Sequence, residues 1–218
     1  MKKSLILLAI AALASVEASA CTVWEGYHIP TNIELLEQAD LVVLGSVDPG
    51  PEKCVGSGRR EICYLTVELS PQQYLKGDGP QLLNLEGSFS DRRGGDYAPA
   101  PTPLDTSHPS AWWGACIRQA YHRGTPVIAM FRLTDEGEFR HMGEPFARAV
   151  EDIEGADSLW LLAATIYLEV IEDTAEGEER RLAFEKLRDE LRALDGDEGA
   201  HAIADDIDKY LLVTAEAD

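Results

Sequence analysis

Basic residues are scarce in this chain. Its 218 residues include 19 Lys and Arg against 39 Asp and Glu, a formal charge of −20. Nucleic-acid binding draws on Lys and Arg displacing counterions from phosphates, so this balance argues against nucleic acid as a partner. Metal motifs are missing too: no C-x-x-C pair and no H-E-x-x-H occurs, and the five His are scattered. A calcium-loop reading from Asp195 to Asp206 fails at its sixth position, where Ala200 replaces the Gly that the turn requires. Gly56-Ser57-Gly58 lacks the G-x-S-x-G spacing of a nucleophile elbow, and the many carboxylates fall on helix faces expected to be solvated. These absences point to a non-enzymatic protein without a cofactor. No segment beyond the N-terminus reaches transmembrane length, since the apolar stretch Leu159 to Ile171 has 13 residues and contains Glu169. Gly (18) and Pro (11) stand at ordinary levels, which excludes collagen-like and low-complexity classes, and 45% hydrophobic residues suffice for a core.

What is present begins with an address. Lys2 and Lys3 precede an apolar run from Leu5 to Ala14, and Ala18-Ser19-Ala20 supplies a small-x-small end. That order is a secretory signal peptide over residues 1–20, with cleavage leaving Cys21 first. A lipoprotein signal would carry Leu three residues before the cysteine, where this chain has Ala18, so simple cleavage is favoured over a lipid anchor on Cys21. The expected location is periplasmic or secreted, where disulfides persist.

The remainder divides near Val150. Residues 21–150 carry 17 acidic and 11 basic groups, whereas residues 151–218 carry 21 and 6. The hydrophobic period changes at the same place. In the first part Thr31 and Glu34 form a capping box for a short helix, with Leu35 and Leu36 on its buried side. Leu41 to Val47 reads as a strand bent at Gly45. Ile62 to Leu69 alternates, Lys76 to Pro80 turns into a strand at Leu82 to Glu86, and Val127 to Leu133 alternates before a turn into Phe139 to Met142. Five short strands suit a small barrel or sandwich. Between them, Ser88 to Ala115 is a long loop rich in Gly, Pro, Ser and Asp that ends in Trp112-Trp113; such loops are functional or disordered.

The second part reads as an acidic helical region. Leu159, Leu162, Ala163, Ile166, Tyr167 and Val170 recur at helical spacing after Asp157 or Ser158 as cap. A second helix buries Phe184, Leu187, Leu191 and Leu194, and a third aligns Ile203, Ile207, Tyr210 and Leu211. The first is apolar nearly all round, so the other two are expected to pack on it as a small bundle.

Four cysteines allow three pairings. Cys54 and Cys63 flank a loop able to close a hairpin, which leaves Cys21 with Cys116.

One order of motifs stands out: Cys21-Thr22, Ala39-Asp40-Leu41-Val42-Val43-Leu44-Gly45-Ser46-Val47, the Ile62 to Leu69 strand, Tyr74-Leu75-Lys76-Gly77, Cys116, and Gly124-Thr125-Pro126-Val127-Ile128-Ala129. Over residues 21 to about 145 this resembles the netrin-like (NTR) domain of the tissue inhibitors of metalloproteinases and their bacterial relatives. The resemblance implies an OB-like, five-stranded β barrel, so that the whole is a barrel followed by a small helical bundle, α+β overall. It also implies a bridge from Cys21 to Cys116 and zinc chelation in a partner protease by the Cys21 amine and carbonyl, with Thr22 entering the specificity pocket. Where the inhibitors carry a further cysteine, this chain has Val23. A neutral α-amine, with a pKa of about 7.7–8.0, has the lone pair that an open zinc position accepts.

The expected function is thus an exported protein-binding module, in its sharpest form a metalloprotease inhibitor. Cys21, Thr22, Trp112 and Trp113 are its partner-binding residues, and it has no metal site of its own. The alternative is an envelope lipoprotein, scaffold or ligand carrier without inhibitory activity. Intact mass of the exported protein tests the first step: it should begin at unmodified Cys21, and a diacylglyceryl-bearing Cys21 would rule out amine chelation.

Overall fold

A computed structural model describes residues 23–56, 58, 61–89 and 100–217. Residues 1–20, read above as a signal peptide, and Cys21 and Thr22 fall outside them. The class is α+β. Helix α1 (Asn32–Gln38) leads into the long strands β1 (Leu41–Val55) and β2 (Ile62–Lys76), followed by β3 (Leu83–Leu85) and β4 (Ser88–Phe89). A 3-10 turn at Pro109–Trp113 precedes β5 (Ala120–Tyr121), β6 (Pro126–Leu133), β7 (Phe139–His141) and β8 (Val150–Asp152). Helices α2 (Leu159–Asp173), α3 (Glu178–Arg192) and α4 (Glu198–Ala217) complete the chain.

The main sheet is antiparallel, in the order β3-β2-β1-β6-β7 with β8 also on β6. The sheet does not close into the expected five-stranded barrel. Among the described residues β3 and β7 form the two edges; they come into contact but share no ladder. Each is only three residues long and pairs with one neighbour, so the sheet curls until the two edges touch but stays open between them. The curl that brings them together originates in β1, whose pairing with β2 shifts register between Leu44 and Gly45. A Cβ at Gly45 would lie 2.6 Å from the Ser70 carbonyl oxygen and 2.9 Å from Leu69 Cδ1, so the two strands approach more closely than any side chain permits. Beyond Pro49, β1 and β2 continue as an exposed two-stranded ribbon, across which Cys54 and Cys63 face each other and are disulfide-bonded.

Strands β1 and β6 are buried on both faces, which is why each reads as a nearly unbroken apolar run. Leu41, Val43, Val127, Ala129 and Phe131 point into the curled sheet, against Leu69, Leu85, Phe89 and Tyr121. Val42, Ile128 and Met130 point the other way, into a cluster that contains α1 and the three C-terminal helices. The composition boundary at Val150 falls on a sheet strand, and the helices past it share this cluster with the sheet. Within it Phe184 packs edge-on against Tyr167 and Tyr210, at ring-centroid distances of 5.9 and 5.2 Å. The helical stripes are shifted from expectation at two leucines: Leu162 and Leu194 are half exposed, while Trp160 and Ala164 are buried instead. Ser158 is the N-cap of α2, without a capping bond from its side chain. The capping box of α1 forms as read, with Thr31 Oγ1 accepting from the Glu34 N–H and Glu34 Oε2 accepting from the Thr31 N–H.

Strand β6 shares one edge between β7 and β8: Met142 N–H donates to Met130, and Met130 N–H donates to Ala149. The chain between these contacts must swing outward and return, and this excursion carries Phe146 and Arg148.

Gly45→Ala should destabilise the protein by about 1–3 kcal/mol, because the new methyl meets backbone that cannot yield. Gly143→Ala, which meets nothing within 4 Å, should be near neutral. Thermal denaturation compares the two; equal melting temperatures would discount the close approach of β1 and β2.

Candidate functional site

The excursion between β7 and β8 meets the N-terminal segment and the 3-10 turn at one edge of the sheet. Trp112 stacks on Phe146 with ring centroids 4.3 Å apart while remaining 60% exposed. The backbone N–H of Phe146 donates to the Cys116 carbonyl, and Tyr27 donates its hydroxyl to the Pro145 carbonyl at 3.0 Å. Trp24, also exposed, packs edge-on against Tyr27 at 4.6 Å. Among the described residues Phe146 and Cys116 are the non-glycine positions with positive φ, 59° and 64°. A bulky side chain in that region is held there against a backbone preference, and such positions gather at functional sites.

Behind this edge lies a layer of buried charge. Asp152 and Glu151 on β8 are both 1% exposed. Arg118 Nη2 reaches Asp152 Oδ1 at 2.5 Å, and its guanidinium covers the Tyr121 ring at 4.5 Å. Burial opposes ionisation of Asp152, but His108 (Nε2 at 3.7 Å), Arg118 and the Ala100 N–H together outweigh it and hold the carboxyl at about 2. Glu151 accepts from the His108 N–H at 2.9 Å and from Thr102 Oγ1 at 2.9 Å; burial pushes its carboxyl up, against the pull of Arg148 and Arg118. These two carboxylates pin the described end of the long loop, so residues 100–111 are structured and partly buried.

Arg148 also belongs to this layer. Its side chain is 6% exposed and lies over the Trp160 ring at 5.0 Å, with Nη2 3.9 Å from Glu151 Oε2. Nε, Nη1 and Nη2 all lack a hydrogen-bond partner, as does the buried hydroxyl of Ser107. A buried donor left in this state costs about 1–3 kcal/mol, so two such groups together call for an occupant. Both line a cleft of 390 Å³ between the aromatic edge and α4, with Trp112, Phe146, Ile29 and Val213 among its apolar walls.

Of the residues expected to act, Trp112 lies in this cleft wall and Cys116 is held to Phe146, so those two share one edge of the protein. Cys116 is disulfide-bonded. Cys21, Thr22 and the side chain of Trp113 fall outside the described residues. Cys54 and Cys63 sit on the ribbon, where Glu52 lies near both sulfurs; since these sulfurs are bonded to each other, they offer no thiolate to a metal. Sequence reasoning missed Arg148, Ser107 and Phe146. Only the second of these had a local signal, its place in the long loop.

Asp152→Asn should cost about 3 kcal/mol at neutral pH by leaving Arg118 buried and unpaired. The folded carboxyl titrates near 2 and the unfolded one near 3.8, so its stabilisation is complete above 3.8 and is lost as pH falls through 2. Denaturant titration should therefore show the parent losing about 2 kcal/mol more than Asp152→Asn over that interval; parallel pH profiles would contradict this assignment. Comparison with protein-family models, with curated proteins and with solved structures finds no match to this chain.

Proposed function

We propose that the protein is an exported, non-enzymatic binding module whose partner docks on the edge formed by Trp24, Tyr27, Trp112 and Phe146. One observation carries this reading. Trp112 keeps most of its surface in solvent while stacked on Phe146, whose backbone is fixed by Cys116 in an unfavourable conformation. An aromatic side chain held rigid and exposed loses little entropy on contact, which is the property of a binding anchor. Export rests on the Lys2-Lys3, apolar and Ala18-Ser19-Ala20 sequence, and among the described residues no helix is long and apolar enough to cross a membrane.

The finer form of the proposal is inhibition of a zinc metalloprotease. Its support is the order of netrin-like motifs, the curled antiparallel sheet, and a bonded Cys116 at the aromatic edge. In this reading Cys116 pairs with Cys21 and sets the processed N-terminus beside Trp112. The Cys21 amine and carbonyl then chelate the protease zinc, and Thr22 enters the pocket next to it. A tethered amine needs little further ordering to bind.

Adding one alanine before Cys21 should abolish inhibition of a thermolysin-type zinc protease while leaving the melting temperature unchanged. Trp112→Ala should weaken inhibition about tenfold or more, as expected for loss of an aromatic anchor. Equal inhibition by the extended protein would reject the chelation mechanism.

A further inference from the structure

We propose that the cleft bounded by Trp112, Phe146 and Arg148 is a binding site for a small organic monocarboxylate with an apolar body. This goes beyond the docking edge and does not use the N-terminal amine. The guanidinium of Arg148 is almost wholly buried, lines the cleft, and has no hydrogen bond from any of its three nitrogens; the Ser107 hydroxyl lines the same cleft and is equally unpartnered. These groups want an acceptor.

The neighbouring carboxylates do not supply one. Glu151 approaches Arg148 no closer than 3.9 Å, and its oxygens already accept from Thr102 and from the His108 N–H. Asp206 Oδ2 accepts from Asn32 at 2.8 Å and from Tyr167 at 3.1 Å, and its Oδ1 lies 3.7 Å from Lys209 Nζ. A carboxylate entering the cleft would meet the planar fork of Arg148, a geometry suited to two parallel hydrogen bonds.

The rest of the cleft sets the class of ligand. Ile29, Leu104, Val213 and the Trp112–Phe146 pair provide apolar walls. At 390 Å³ the space lies at the small end of ligand sites and fits a single-ring or short aliphatic body. Asp105 at the exposed rim and Asp206 on the wall balance Lys209 and Arg148 in the lining, so no excess positive charge is left for a second anionic group, which favours a monoanion over a phosphate ester or dicarboxylate.

Isothermal titration calorimetry on the full mature chain tests this with 4-phenylbutyrate, 4-phenylbutanol and a tetrapeptide ending in Phe. 4-Phenylbutyrate should bind at least tenfold more tightly than the alcohol, and Arg148→Gln should remove that preference. If Arg148→Gln does not fold, Ser107→Ala and the exposed Trp112→Ala decide the matter, each weakening 4-phenylbutyrate several-fold. Equal affinity for acid and alcohol, no binding of either, or full affinity in the variants would overturn the proposal. Binding of the peptide acid alone would overturn it in favour of a chain terminus. The protein extended before Cys21 should bind 4-phenylbutyrate unchanged, so failure of protease inhibition and failure of this site are separable.

Discussion

The ladder between β1 and β6 is the constraint on which the other elements depend. Its register sets Leu41 opposite Phe131 and Val43 opposite Ala129, and places Val42 beside Met130 on the reverse face. Because side chains alternate strictly, one face fills the curled sheet and the other receives the helices. A slip of one residue would exchange the two sets and leave neither core complementary. The arrangement also explains why the helical segment is part of the same body as the sheet. Helix α2 alone is too apolar to be solvated, and the reverse face of β1 and β6 needs a cover.

Charge is handled in a second layer, outside that ladder. Strand β8 pairs with β6 through backbone bonds, yet it carries Glu151 and Asp152 where burial is complete. Buried ion pairs seldom add net stability compared with an apolar alternative, but breaking one is costly, so they fix which segments can lie together. Here they fix residues 100–111 against β8, through the N–H groups of Ala100 and His108. The accounting closes for Arg118, which has Asp152, the Ala120 carbonyl and the Tyr121 ring. It does not close for Arg148. The difference between these two arginines, set on either side of one acidic strand, distinguishes a structural contact from an open site.

Much of the scaffold was legible because local signals were strong. The capping box at Thr31, the bend at Gly45, the hairpin between β6 and β7 and the three C-terminal helices each follow from spacing or from a residue with one conformational use. The signals ran out where structure depends on distant partners. Strand β1 continues through Pro49 and Pro51 into the ribbon, and β2 runs through Pro71 opposite Gly45; prolines in the sequence argue against such long strands, and positions with one free edge allow them. Short strands and motif order both suggest a barrel, but no local signal says whether β3 and β7, distant in sequence, will share a ladder, and they do not. Strand β8 is invisible in the sequence, because the acidic pair Glu151-Asp152 reads as solvated and is buried by pairing with β6 and by Arg118, His108 and Thr102. For the same reason the site is half visible in the sequence: Trp112 stands out by residue type, whereas the role of Arg148 lies in three buried nitrogens without a hydrogen bond, which no local pattern announces.

The aromatic edge and the open guanidinium occupy one region for a shared mechanical reason. Holding β7 and β8 on the same edge of β6 forces residues 143–149 outward, and the chain returns with Phe146 in the left-handed region. That conformation is unfavourable in isolation and is sustained by the Cys116 carbonyl and by Trp112. Arg148, two residues on, is then carried inward over Trp160, too far from Glu151 for a hydrogen bond. The surrounding field is negative, since residues 151–218 bring 21 acidic against 6 basic groups, so no long-range attraction gathers anions there. Recognition at this edge must come from short-range donors and from apolar contact, which favours a ligand with a single charge and a hydrophobic body over a highly charged one.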